Sequence, residues 1–265
     1  MNLNYIFLLC LVVNQSIAQN KSVISLKSKA NFPIGSSIRF VPFMKDMKLK
    51  GLQQHHFDSY TAGSDMKMYQ IALKHGVFRW DRVDSIVAYT QKNKQRLFGH
   101  TLIWHSATPK WIEKKAEKDP EWLDDFMKNY IQTYVKRYKG IVHGWDVVNE
   151  GLNTKGSGFR TESIWHKTMG ESYIEKAFRY AHEADPSAVL FYNDFNIERD
   201  TLKFNTMMKM VEDFKQRNVP ISGIGFQMHI RMDIPNEIIA YTLKRAADTG
   251  LSLIHISEPT RQQGI

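Results

Sequence analysis

The chain is almost free of cysteine. Among its 265 residues only Cys10 carries a thiol, and one cysteine cannot form a disulfide within a chain. A disulfide-rich scaffold and a cysteine zinc site are therefore excluded. Several histidines (His55, His56, His143 and His166) show no metal-ligand spacing. We expect no catalytic metal and no cofactor.

The chain also lacks an apolar run long enough to span a membrane. Its N-terminal apolar stretch, residues 6–13, is shorter than the ~20 residues that a bilayer requires. Residues 1–18 carry no charge, and small residues stand at the −3 and −1 positions of a cleavage site before Gln19. This pattern predicts a secretory signal peptide over residues 1–18 and a secreted or periplasmic protein, with no membrane insertion after cleavage. Lipid attachment at Cys10 is the less favoured alternative, because large residues precede it.

No linker, repeat or low-complexity segment divides the chain, so we predict one domain over residues 19–250. Lys and Arg outnumber Asp and Glu by 36 to 27, which gives a net charge of +9. These cations are scattered along the chain rather than clustered with aromatic residues. We therefore predict a solvated basic surface and no nucleic-acid partner, and we leave attraction to an acidic polysaccharide open. We expect a monomer.

Strand-like runs alternate with helical patterns along the chain. Strands are predicted at residues 34–40, 57–61, 97–103, 141–148, 189–192 and 221–227. Helices are predicted at residues 120–138, where aromatic residues recur every four positions, and at residues 163–184. Such alternation predicts a parallel sheet. We expect an α/β fold, a (β/α)8 TIM barrel that is incomplete at the C-terminus, with six strands and a seventh if the last residues are native.

One predicted strand ends in a dense polar motif. Residues 144–150 read Gly-Trp-Asp-Val-Val-Asn-Glu, so that the strand finishes in Asn149 and Glu150. Barrel folds place their chemistry at the C-terminal ends of strands, which makes Glu150 a candidate general acid/base. A strand that simply ends in polar residues would look the same. Three similar runs, at residues 99–105, 191–196 and 223–229, favour the catalytic interpretation.

With these four motifs in this order, the chain resembles glycoside hydrolase family 10, the endo-β-1,4-xylanases, over residues 32–250. The resemblance implies hydrolysis of internal β-1,4-xylosidic bonds of xylan with retention of configuration. Two carboxyl groups about 5–5.5 Å apart perform such a reaction, one as nucleophile and the other as acid and then base.

The resemblance also implies roles for individual residues. Glu150 aligns with the acid/base, and Asn149 would bond the sugar 2-hydroxyl. Glu258 aligns with the nucleophile, His229 would orient its carboxylate, and Gln227 would line the same wall.

The sugar-binding wall on the glycone side would consist of His100 and Trp104, with Lys67 reaching hydroxyls of the sugar beyond the cleavage point. Trp104 can present a flat apolar face to a pyranose ring, while the other two side chains satisfy hydroxyls. Xylan or a xylo-oligosaccharide is thus the expected partner.

Three departures from the family pattern keep other functions open. Residues 63–65 (Gly-Ser-Asp) stand where the family usually has Glu-Asn, Ala107 stands for a Gln, and Phe195 for a Tyr. They favour altered subsites and leave a carbohydrate-binding or inactive barrel as one alternative, although a binder would not need Glu150. A related retaining β-glucan hydrolase is the other alternative, which the motif at residues 99–105 disfavours.

The C-terminal residues, 251–265, resemble the translation of a transposon-derived sequencing adapter. Pro259 stands where the family has Leu, and the spacing from Thr249 is one residue too long. We therefore predict that the tail is not native, that Glu258 is a chance Glu, and that this chain alone is inactive. The alternative is a native seventh strand at residues 251–257.

Overall fold

The computed structural model describes residues 23–255; the predicted signal peptide and Glu258 lie outside the described residues. Seven strands form one parallel sheet in which each strand lies beside the next along the chain. They are β1 (Gly35–Ile38), β2 (Ser59–Ala62), β5 (Arg96–Trp104), β6 (Val142–Asn149), β7 (Val189–Asp194), β8 (Gly223–Phe226) and β9 (Ser252–His255). The other two strands, β3 (Ala72–Lys74) and β4 (Val77–Phe78), form an antiparallel pair that we did not predict.

Helices occupy the connections between the strands of the sheet, because parallel neighbours require a crossover. They are α1 (Phe40–Lys45), α2 (Met47–His56), α3 (Met68–Ile71), α4 (Asp81–Lys92), α5 (Lys110–Lys118), α6 (Pro120–Arg137), α7 (Ile164–Met169), α8 (Ser172–Ala184), α9 (Thr201–Gln216) and α10 (Asn236–Ala247), with a 3-10 turn at His105–Ala107. This order confirms the predicted (β/α)8-type fold, of which residues 23–255 hold seven strands. No helix in that range is long and apolar enough to cross a bilayer.

Helix α6 shows how the sequence pattern becomes packing. Proline at its first turn suits a position that needs no intrahelical donor. Tyr130 and Tyr134 are fully buried, and the ring of Tyr134 lies 4.9 Å from that of Trp145 on β6. The buried members of this aromatic stripe therefore belong to the core. Gly140, with φ of +72°, follows the helix as its stop signal.

Most predicted boundaries differ from the observed ones by one or two residues, and two predictions were wrong about the element itself. The single helix predicted over residues 163–184 is two helices, α7 and α8, because Gly170 takes a φ of +62° that ends α7. A glycine adopts this left-handed conformation without the steric cost of a Cβ. The strand predicted over residues 34–40 ends at Ile38, and Phe40 already begins α1.

The chain after residue 250 forms β9, which pairs parallel to β8 with Ser252 opposite Gly223. Residues 252–255 thus occupy the place of a seventh strand, as the alternative of a native strand at residues 251–257 required. The non-native origin of residues 251–265 stays a prediction. Within the described residues β1 and β9 pair on one side only. A cavity of about 900 Å³ is lined by residues of both these edge strands and also by Phe98 and Phe191.

Candidate active site

Polar side chains gather where the central strands of the sheet end. In the register of the sheet, Asn149 at the end of β6 lies opposite Trp104 on β5 and Asn193 on β7. Asn193 in turn lies opposite Gly225 on β8. The carboxyl ends of these strands therefore bring the four sequence motifs to one edge of the barrel, where such folds build their sites.

Glu150 follows β6 directly and is half-buried. Asn149 Nδ2 donates a hydrogen bond to Glu150 Oε1 at 3.3 Å, and Gln227 Nε2 donates to the same oxygen at 3.2 Å. The other oxygen, Oε2, receives no hydrogen bond from the described residues. Among the described residues, the carboxyl group is thus held through one of its two oxygens.

A chain of amide side chains supports this carboxyl group. Asn149 Oδ1 accepts hydrogen bonds from Asn193 Nδ2 at 2.7 Å and from Gln227 Nε2 at 3.2 Å. His229 Nε2 lies 3.1 Å from Gln227 Oε1 and completes the row. Gly225 gives Asn193 its room, because a Cβ there would lie 2.4 Å from Asn193 Oδ1. These contacts bring four predicted residues into one cluster.

A second pair lies on β5 and β6. His100 Nδ1 is 2.7 Å from Asp146 Oδ2, and both side chains are buried. Burial raises the pKa of the Asp146 carboxyl, and the hydrogen bond to His100 opposes the rise. When His100 is neutral and Nδ1 donates to the carboxylate, the other ring nitrogen is a hydrogen-bond acceptor. Asp146 therefore selects the ring form that His100 presents.

Lys67 lies against Trp104 rather than at the surface. Its side chain is only 4% exposed, and Nζ lies 4.6 Å from the centroid of the Trp104 ring. A desolvated cation over an aromatic face is worth on the order of 2 kcal/mol. His100 lies next to the same indole, with ring centroids 6.2 Å apart. The three residues predicted to bind sugar thus form one contiguous group.

A buried ion pair lies behind the cluster and was missed by sequence reasoning. Lys203 Nζ on α9 donates to Asp194 Oδ1 at 2.7 Å, with both side chains fully buried. Tyr192 donates its hydroxyl proton to Asp194 Oδ2 at 2.6 Å. Burial raises the pKa of Asp194 to about 6, against the opposing effect of Lys203, and the charge of Glu150 adds to the rise.

The arrangement suits proton transfer on a polyhydroxylated ligand. It offers one carboxyl group held through a single oxygen, amide donors, an aromatic face and a buried cation. Residues 23–255 contain no cluster of three or more His, Cys, Asp or Glu side chains that could hold a metal ion.

Residues 23–259 match the family model described as Glycosyl hydrolase family 10. The chain belongs to this family. The family-10 resemblance predicted from the four motifs is therefore confirmed.

Two curated relatives and one solved structure illustrate the match. The chain is 37% identical over 262 residues to endo-1,4-beta-xylanase C of Paenibacillus barcinonensis. The aligned region covers 92% of this chain and 24% of that protein. It is 40% identical over 220 residues to endo-1,4-beta-xylanase A of Caldicellulosiruptor sp. (strain Rt8B.4), covering 79% of this chain and 32% of that protein. A mutant of xylanase10C from Cellvibrio japonicus in complex with xylopentaose superposes with a TM-score of 0.82 at 32% identity, covering 91% of this chain and 52% of that one.

The chain thus spans less than a third of the length of these two curated relatives. Within the family-10 fold, the predicted residues Asn149, Glu150, Gln227 and His229 share one cluster, and Lys67, His100 and Trp104 share a second. The roles assigned to them stay predictions, and Glu258 lies outside the described residues.

Sequence reasoning gave no role to Asn193 or Asp146. Both lie inside motifs that were singled out, and Asn193 directly follows an apolar run, as Asn149 does. That shared position was the available signal. The partners themselves depend on the register between strands, which a single sequence does not reveal.

Proposed function

We propose that this family-10 protein is a secreted endo-1,4-β-xylanase that hydrolyses internal β-1,4-xylosidic bonds of xylan with retention, by a two-carboxylate double displacement. The observation that carries the proposal is the Glu150 carboxyl group, held through one oxygen by Asn149 and Gln227 at the edge of the barrel. The relatives named as endo-1,4-beta-xylanases support the choice of substrate.

Glu150 would act as the general acid and then as the base. Its Oε2 atom faces a ligand without competition from the described residues, so a proton carried there can reach the oxygen of the leaving sugar. After the leaving group departs, the same oxygen can take a proton from the water that attacks the covalent intermediate.

Asn149 would bond the 2-hydroxyl of the sugar at the cleavage point. An amide nitrogen has two hydrogens, and one Nδ2 hydrogen of Asn149 goes to Glu150. Its Oδ1 is occupied by Asn193 and Gln227, so the second Nδ2 hydrogen is the group left for substrate. A hydrogen bond to the 2-hydroxyl strengthens in the transition state of such reactions.

The group of Lys67, His100 and Trp104 would bind the sugar beyond the cleavage point. Trp104 supplies an apolar ring face, and the two polar side chains supply hydrogen bonds to hydroxyls. The Cellvibrio japonicus xylanase with bound xylopentaose supports a xylo-oligosaccharide as the ligand of this wall.

The second carboxylate would come from the strand position of Glu258. In a retaining enzyme it must lie about 5–5.5 Å from Glu150. His229, which contacts Gln227 at 3.1 Å, would orient it. In our proposal the native gene supplies this carboxylate at or near the position of Glu258.

The protein would reach the medium or periplasm after removal of residues 1–18 and act there as a monomer. N-terminal sequencing of the exported protein checks this directly. The expected first residue is Gln19, and retention of Met1 in the cell would contradict export.

The test of the activity uses the gene product read from the source gene through and beyond the codon for Gly250. Incubation with β-1,4-xylan and with xylopentaose should release short xylo-oligosaccharides, and Glu150→Gln should abolish most of this release. Binding of xylan without hydrolysis would favour the carbohydrate-binding alternative. Faster release of sugar from β-glucan than from xylan would favour the β-glucan hydrolase.

A further inference from the structure

The backbone of Glu150 is in a conformation that its side chain disfavours. Its φ is +58°, in the left-handed region where a Cβ crowds the following carbonyl oxygen. A residue with a side chain keeps such a conformation only where its surroundings hold it there. On one side, Glu150 N donates to Asn193 O on β7 at 2.9 Å. This bond fixes the amide but not the carbonyl group.

Arg160 holds the carbonyl side. Its Nε donates to Glu150 O at 3.1 Å, and its backbone N donates to Gly151 O at 2.9 Å. The arginine is only 7% exposed, so these bonds form away from competing water. Two successive carbonyl groups at the candidate acid thus accept hydrogen bonds from this one residue.

The remaining donors of Arg160 tie the same connection together. Nη2 donates to Thr154 Oγ1 at 3.3 Å, and Nη1 donates to Glu162 Oε1 at 2.9 Å. These acceptors belong to residues 150–163, the connection between β6 and α7. A planar guanidinium with several fixed donors can hold several points at once, which a lysine ammonium cannot.

We propose that Arg160 is a positioning residue for Glu150, which holds the left-handed backbone so that the carboxyl group meets the amides of Asn149 and Gln227. The inference rests on the proposed function, in which Glu150 is the acid/base. Arg160 does not bond the carboxyl group of Glu150; it acts through the backbone.

The charge of Arg160 also reaches the site. Burial lowers the pKa of His105, which directly follows Trp104, and the Arg160 cation lowers it further. A variant that removes Arg160 therefore changes both charge and hydrogen-bond geometry. Arg160→Lys separates the two, because it keeps the charge and loses the planar set of donors.

The experiment compares Arg160→Met, Arg160→Lys and Glu162→Gln in the full gene product. Glu162→Gln is the matched control, since it weakens an ion pair of Arg160 whose carboxylate is 62% exposed and leaves the bond to Glu150 intact. Steady-state rates are measured on xylan and on aryl xylobiosides with poor and good leaving groups. In parallel, amide hydrogen exchange of Glu150 is followed, and a thermal melt shows which variants fold.

Both Arg160 variants should lower kcat on xylan and on poor leaving groups by about 10- to 100-fold, the scale of an ~1 Å misplacement of a catalytic group. With good leaving groups kcat/KM, which reports formation of the covalent intermediate, should change little, and exchange at Glu150 should accelerate. Glu162→Gln should behave as the unaltered enzyme. If Arg160→Met does not fold, Arg160→Lys carries the comparison.

Full activity in Arg160→Lys, or an equal loss of kcat/KM on all leaving groups with unchanged exchange at Glu150, would overturn the inference. Glu150→Gln serves as the reference. If that variant shows no dependence on the leaving group, the acid assignment in the proposed function fails. The exchange measurement still decides whether Arg160 holds Glu150.

Discussion

Replacement of Glu150 by glutamine removes the transferable proton and leaves the surrounding contacts in place. The amide oxygen of glutamine can accept the same two hydrogen bonds that Glu150 Oε1 accepts from Asn149 and Gln227, at 3.3 and 3.2 Å. Its NH2 group then takes the place of Oε2. We therefore expect Glu150→Gln to fold normally and to bind xylo-oligosaccharides with little change in affinity.

The magnitude of the loss follows from the chemistry. General acid catalysis contributes about 10²- to 10⁴-fold, which corresponds to about 2.7–5.5 kcal/mol, because each tenfold change in rate is worth about 1.36 kcal/mol. On xylan, whose leaving group needs a proton, kcat should fall by this factor. On an aryl xylobioside with a good leaving group, formation of the covalent intermediate should proceed at close to the original rate.

The assay is pre-steady-state and steady-state kinetics of the full gene product on both substrates, with Glu162→Gln as a control that makes the same chemical change on an exposed carboxylate. An aryl xylobioside should give a burst of phenol in Glu150→Gln, since the first step is spared and the base step is slowed. Equal losses on xylan and on the activated substrate, without a burst, would refute the acid role of Glu150.

Four further predictions can be checked separately. An NMR time course of xylan cleavage by the full gene product should show β-anomer product first, and initial α-anomer would contradict retention. Residues 19–265 expressed alone should show no cooperative melt and no xylanase activity, because β1 and β9 pair on one side only within the described residues and folded domains have only ~5–15 kcal/mol of stability. A sharp melt with turnover would show that prediction to be wrong. Gly99→Ala in the full gene product should cost at least about 1–3 kcal/mol of unfolding free energy, since the new Cβ would lie 2.1 Å from Trp145 Cε3; an unchanged urea midpoint would argue against this packing. The Asp194 carboxyl should titrate near pH 6 by NMR rather than near 3.8. Because the pKa of Asp194 is higher in the folded state, the stabilisation from its protonation is complete below pH 3.8 and is lost as the pH rises through about 6. The difference in unfolding free energy between the unaltered protein and Asp194→Asn should therefore change between pH 3.8 and about 6 and stay constant above that range.

The sequence predicted which polar residues lie together at the strand ends better than it predicted the secondary-structure boundaries. Each functional motif was an apolar run followed by a polar residue, and parallel strands bring such ends together whatever their exact limits. Asn149, Glu150 and Gln227 accordingly meet in the structure. The break between α7 and α8 was missed because the helical periodicity continues on both sides of Gly170, and only its backbone conformation shows the interruption.

The supporting residues could not be predicted, for a different physical reason. The pairing of Lys203 with Asp194 requires that one position of α9 face the end of β7, and a lysine in an amphipathic helix normally belongs to the solvated face. The side chain of Arg160 donates to the backbone carbonyl of Glu150. Every residue has such a carbonyl group, so the sequence contains no pattern that predicts this contact. Tertiary register decides both contacts.

The side-chain hydrogen bonds that lead to the Glu150 carboxyl group all run in one direction. Asn193 donates to Asn149, Asn149 donates to Glu150, and Gln227 donates to both Asn149 and Glu150. A carboxylate can only accept, so an aspartate at position 193 or 149 would break the row at that link and add a second negative charge beside the acid. In a library of variants, we therefore expect Asn-to-Asp at positions 149 and 193 to be depleted among active sequences, although the two side chains have nearly the same size. The donor-to-acceptor direction of these hydrogen bonds, rather than the size of the side chains, therefore limits which sequences can keep the site.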